Sequence, residues 1–144
     1  MLKISTGLRN AMLDSATLRT ALSLGKVMIY SGVAPVTADA AVTGTLLCTI
    51  TNNSTATGVT MDVAAAGTIA KTSTEVWSGV NVATGTASYY RHVAAGDTGA
   101  SSTTEARVQG LIATSGAELN LTSVTLSSAA TQTIDFYSIT LPTL

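Results

Sequence analysis

From Lys26 onward, short runs of alternating apolar and polar residues are cut by turn signals about ten residues apart. That spacing favours a sandwich or barrel over a βαβ sheet. Val27-Met28-Ile29-Tyr30 ends at Ser31-Gly32, and Thr45 to Thr51 ends at Asn52-Asn53. Val59 to Val63 alternates and gives way to the small residues Ala64 to Gly67. Thr74 to Val82 sets Val76, Ser78 and Val80 against Trp77 and Gly79, and Thr84-Gly85 turns it into Thr86 to Val93. Arg107 to Ala113, Glu118 to Leu126 and Thr133 to Leu141 complete the series, with Pro142 as the last stop. In the final run Ile134 and Phe136 share one face and Tyr137, Ile139 and Leu141 the other, the pattern of a central strand or a subunit contact.

The first quarter follows another period. Leu8/Met12 and Leu18/Leu22 are i,i+4 pairs, which predict one broken helix or two short ones between about residues 6 and 23. Asp14 or Ser15 is the expected cap of a second helix and Gly25 its stop. With no linker or fixed-period repeat, residues 1–144 read as one domain, of which 1–25 form a helical N-terminal arm. The expected fold is mainly β: an antiparallel β-sandwich or jelly-roll-like barrel of about eight strands with a short helical N-terminal segment.

Composition narrows the function. Thr occurs 26 times, Ala 22 times, and only 10% of residues are charged. Threonine suits strands and keeps a polar hydroxyl. An isolated domain usually carries a more charged exterior, so a muted one suggests that neighbouring subunits cover much of it. The seven basic residues are dispersed and net charge is −1, against the clustered cations of a nucleic-acid binder. No apolar run of about 18 residues predicts a membrane span, and MLKISTGLRNAML lacks the apolar core of a signal peptide. The expectation is assembly in a reducing cytoplasm, with Cys48 as a buried small hydrophobe.

The residues offer little chemistry. His92 is the only imidazole, expected on a partly exposed strand, and one histidine with one cysteine cannot make a His/Cys metal site. No nucleophile elbow or phosphate-binding glycine loop is present. The eight carboxylates are scattered, and Asp97 in Gly96-Asp97-Thr98-Gly99 is one carboxylate, too few for a calcium loop. Trp77 reads as an anchor of the core or of an interface. Asp39, within Thr37-Ala38-Asp39-Ala40-Ala41, reads as a turn or cap residue in a long connection folded over a sheet, with small side chains that permit close approach. The chain is expected to be no enzyme and to use no cofactor.

Several segments carry a resemblance. "STGLRNAMLDS", "GKVMIYSGVAPVTADAAVTGTLLCTIT", "TEVWSGVNVATGTASYYRHVAAGDTG", "ARVQGLIATSGAELNLTS" and "TIDFYSITLP" together resemble small virion structural proteins of tailed bacteriophages, in order and over nearly the whole chain. The resemblance implies a virion component assembled in the host bacterial cytoplasm. Its first form is a capsid decoration, or cement, protein bridging subunits of the major capsid protein. A tail, collar or baseplate protein, or a carbohydrate- or receptor-binding β-module of the tail, is the alternative. It further implies a homo-oligomer, a trimer or else a dimer; the dispersed charges and the lack of a long apolar run already predict no direct nucleic-acid or membrane contact. The contact candidates are Leu8, Met12, Leu18 and Leu22, the 33–44 loop with Pro35 and Asp39, and Trp77 with Tyr89 and Tyr90; each has a second reading as ordinary core.

Overall fold

The computed structural model describes residues 1–141, so the expected stop at Pro142 lies outside the described residues. A two-residue strand β1 (Lys3–Ile4) leads into α1 (Thr6–Asp14) and α2 (Leu18–Ala21). Then follow β2 (Lys26–Tyr30), β3 (Leu46–Asn52), β4 (Thr68–Ala70), β5 (Trp77–Val80), β6 (Gly85–Thr86) and β7 (Tyr89–Val93). β8 (Arg107–Ala113), β9 (Leu119–Asn120), β10 (Thr125–Leu126), β11 (Thr131–Ile134) and β12 (Ser138–Thr140) follow among the described residues. The fold is mainly β and antiparallel: an open, sandwich-like eight-stranded sheet ordered β1-β8-β7-β2-β3-β5-β11, with β9 joined in parallel to β8. Two small ribbons, β10-β6 and β12-β4, stand apart from it.

The helices form where the i,i+4 pairs predict them, with different caps. Ser5 caps α1, its hydroxyl accepting from Leu8 N–H at 3.1 Å. Thr17, rather than Asp14 or Ser15, caps α2 in a capping box with Thr20. Leu24, not Gly25, takes the left-handed turn after α2 (φ 57°). Gly25 is needed for space, because a Cβ there would meet Val93 O at 2.1 Å.

The core lies on one face of the sheet. Val27, Ile29, Cys48, Ile50, Tyr90, His92 and Val108 point the same way by register and meet Leu8 and Leu22 from the helical arm. Trp77, Tyr137 and Ile139 close it from the C-terminal side. Gly110 makes room for the Tyr90 ring, which a Cβ would meet at 2.7 Å. Gly79 lets β5 approach β3, since a Cβ there would meet Thr49 O at 2.1 Å and Cys48 Sγ at 2.9 Å.

The last predicted strand is two strands. β11 pairs with β5 and β12 with β4, and the chain leaves the ladder between them at Asp135–Tyr137. Phe136 is consequently 75% exposed and does not share a buried face with Ile134. Val59 to Val63 makes only isolated bridges, Gly25 with Val59 and Met61 with Lys71. Glu118 to Leu126 likewise divides into β9 and β10.

Candidate interaction surface

The residues expected at an interface lie mostly inside the chain. Leu8, Leu22, Trp77, Tyr89 and Tyr90 are fully buried, and Leu18 and Pro35 are buried as well. Met12 is half-buried against the core. The apolar stripe of the helical arm is satisfied by the sheet of its own chain. Trp77 packs 5.5 Å from the Tyr137 ring and donates from Nε1 to Glu75 Oε2 at 2.8 Å.

His92 is also interior, not partly exposed. It stands edge-on to Trp77 and Tyr137, at 5.9 and 5.6 Å, and neither ring nitrogen has a hydrogen-bond partner among the described residues. Burial pulls its pKa down to about 4, with the nearby Leu22 main chain acting weakly the other way. It is held as a neutral aromatic member of the core.

The opposite face of β7 and β8 is buried too, but under a polar layer. Alternation sends Tyr89, Arg91 and Val93 of β7, and Arg107 and Gln109 of β8, toward the 33–44 loop. Arg107 binds Asp97 bidentately, Nε to Oδ2 at 2.5 Å and Nη2 to Oδ1 at 2.8 Å. The same guanidinium donates to the main-chain oxygens of Ala38 (3.3 Å) and Ala100 (2.7 Å). Arg91 donates to Gln109 Oε1 at 2.9 Å and to Thr37 O at 3.3 Å. Gln109 and Lys3 both donate to Pro35 O, at 2.8 and 3.1 Å. Tyr89 donates to Thr43 O and stacks on Tyr30 with centroids 5.0 Å apart. Asp39 braces the first residue of α1 from across the fold, accepting from Thr6 N–H at 2.8 Å and from Thr6 Oγ1 at 2.7 Å. Those bonds hold its carboxyl below the usual range. The carboxylate weighed for calcium, Asp97, is thus committed to Arg107 and to Gly99 N–H, 2.7 Å away.

This clamp was not found from sequence. Its signal was present: Tyr89-x-Arg91 and Arg107-x-Gln109 place large polar residues two apart in strands whose alternate positions are apolar. The remaining information, that a remote loop supplies the carbonyls, is tertiary.

What remains outside is poor in charge. Of the seven basic and eight acidic side chains, Arg9, Asp14, Arg19 and Asp135 are exposed, eight are half-buried, and Arg91, Asp97 and Arg107 are buried. Exposed large apolar side chains include Leu13, Val63 and Phe136, with Val33 and Val36 each 85% exposed on the clamped loop. A second open area lies at the far end of the sheet. There Val80, Thr131 and Thr133 share the face that carries Arg91 further along, and the loop does not reach them. A shallow apolar hollow of about 370 Å³ between α2, residues 63–69 and β12 is lined by Leu18, Ile69, Ile139 and Leu141, with Arg19 at its side. No helix among the described residues is long and apolar enough to cross a membrane. Comparison of the chain with protein-family models, with curated proteins and with solved structures returned no match.

Proposed function

We propose that this chain is a structural protein of a tailed-bacteriophage particle, a capsid decoration or cement protein that bridges neighbouring capsid subunits. The observation that carries the reading is the inversion of its charge economy. Arg91, Arg107 and Asp97 are buried to hold a loop down, while the loop's outer side presents Val33 and Val36 to solvent. A solitary soluble domain favours the reverse arrangement. A surface that is hydroxyl-rich, low in charge and apolar in patches suits contact with other subunits. Each copy would remove apolar area from water at roughly 25 cal/mol per Å² before association costs. Many weakly held copies on a closed lattice gain stability through multivalency. The jelly-roll-like form of the expected fold belongs to the same proposal.

The test is to mix the purified chain with phage heads stripped of accessory proteins and, separately, with isolated tails. Electron microscopy and co-sedimentation then locate it. Regular, saturable occupancy of the head surface is the expected result. Occupancy of tails alone moves the chain to the tail, collar or baseplate class, and binding to neither particle overturns the reading.

A further inference from the structure

We propose that β11 is a homotypic docking edge, at which two copies of this chain join their sheets by antiparallel β11–β11 pairing about a twofold axis at Gln132. The phase of the ladder shows which main-chain groups are free. Asn53 N–H bonds Val76 C=O at 2.6 Å and Val82 N–H bonds Leu47 C=O at 2.8 Å. The even-numbered residues of the β5 segment therefore face β3, and Trp77, Gly79 and Asn81 face the β11 side. Asn81 N–H to Ala130 C=O, at 2.9 Å, agrees. With Gln132 opposite Gly79 and Ile134 opposite Trp77, those two residues use their main-chain groups on β5. Thr131 and Thr133 turn theirs outward. Among the described residues no strand pairs with that outer edge. The one partner it has is a local substitute: Gln132 Nε2 donates to Thr133 O at 2.8 Å.

The occupant that fits this edge is a second copy. A twofold at Gln132 sets Thr131 opposite the partner's Thr133, and Thr133 opposite the partner's Thr131. Outward donors then meet outward acceptors, in about four hydrogen bonds. The pairs are β-branched Thr–Thr pairs, a favourable cross-strand combination. Asp135 falls opposite the partner's Ala129 and not opposite its own copy, so the register brings no like charges together. Thr131-Gln132-Thr133-Ile134 has no lysine, no proline and no charge, so its side chains do not blunt the edge. The turn before it is sharply ended instead. Ala129 lies in the left-handed region (φ 68°) and its N–H joins Ala130's carbonyl in holding Asn81, which limits pairing to the strand itself. Val80, 50% exposed beside Thr131, extends the joined face in both copies.

The test uses the full chain alone, independent of any phage particle. Light scattering across a wide concentration range is expected to show a monomer–dimer equilibrium. Gln132→Cys places two thiols across the axis in a non-hydrogen-bonded pair, with Cα atoms about 4.5 Å apart and within disulfide reach. It should oxidise to a covalent dimer, whereas Thr98→Cys, on an exposed loop elsewhere, should not. Cys48 is buried and does not compete. Thr133→Lys should abolish the dimer with an unchanged circular dichroism spectrum, and Thr131→Pro, which removes an outward N–H at an edge position, should do the same. A wild-type chain that is monomeric at every concentration or trimeric by mass overturns the proposal. So does a dimer that survives Thr133→Lys, or cross-linking at position 132 no faster than at 98. A monomer that still decorates phage heads sinks this inference and leaves the proposed function standing; a β11 dimer that ignores phage particles does the opposite.

Discussion

β7 and β5 belong to the same sheet, yet one is buried along its whole length and the other opens to solvent at its end. Every residue of β7 is buried, while β5 leaves Val80 open beside Thr131 of β11. The difference lies in what the loops can reach. Residues 33–44 cross the β8-β7-β2 end and are fastened there by Arg91, Arg107, Gln109 and Tyr89. A loop brings main-chain carbonyls that must find donors, so the strand face beneath it has to be polar. The β3-β5-β11 end lacks that clamp: Ser54 reaches Ser78 Oγ at 2.8 Å, but Val80, Thr131 and Thr133 stay open, and Val and Thr side chains tolerate water and can also be covered by another chain. The lesson is that burial of a sheet face by a loop and burial by a partner require opposite chemistry from the strand.

The sharpest way to break the comparison is at the clamp. Arg107→Ala leaves the Asp97 carboxylate buried and unpaired, and a loss of about 3–5 kcal/mol in urea denaturation is expected. The joint change Arg107→Met with Asp97→Leu should cost distinctly less than Arg107→Ala or Asp97→Ala alone. Equal losses in all three would show that the ion pair is not what fastens the loop. Next comes the underside of β7. His92 titrates near 4 when folded and near its ordinary 6.5 when unfolded. Between those values the unfolded chain binds the extra proton, so stability is full above about 6.5 and falls as pH drops toward 4. The loss is on the order of 3 kcal/mol over the whole window. His92→Phe should flatten the dependence between pH 6.5 and 5, measured as denaturant midpoints; an unchanged slope would place the titration elsewhere.

A smaller effect tests how the loop meets the helical arm. Asp39→Ala removes both bonds to Thr6 and the negative charge at the start of α1, with an expected loss of about 1 kcal/mol. That loss should shrink at acid pH, because the carboxylate is titrated below its usual range. The smallest effect belongs to the bare end. Val80→Ser should change monomer stability by no more than about 0.5 kcal/mol, read by thermal melting. A loss comparable to that at the clamp would mean that this end is buried after all and would erase the contrast.

Much of this was legible in the residues alone. Arg107 to Ala113 is a strand with the bounds its alternation predicts, and β2 and β3 lie within a residue of theirs. Those runs have turn signals on both sides and a clean period, so local preference and tertiary pairing agree. The final run alternates just as cleanly and is nonetheless broken, because its two halves pair with different strands and the chain must change ladder between them. The contact candidates show the same limit: an apolar stripe on α1 and α2 says that the helices are covered, not by what.

The chain's own order of residues determined a β-rich domain with a helical start, a buried Cys48 and Trp77, and a small stock of charges. These follow from periodicity, turn residues and composition, which act over a few neighbours. Only the tertiary structure decided how the charges were spent: Asp97 on Arg107, Asp39 on the start of α1, and Arg91 on a loop carbonyl 54 residues away. Pairing across such distances depends on which loop closes over which strand, and that is set by the competition of whole surfaces for burial, not by any local pattern.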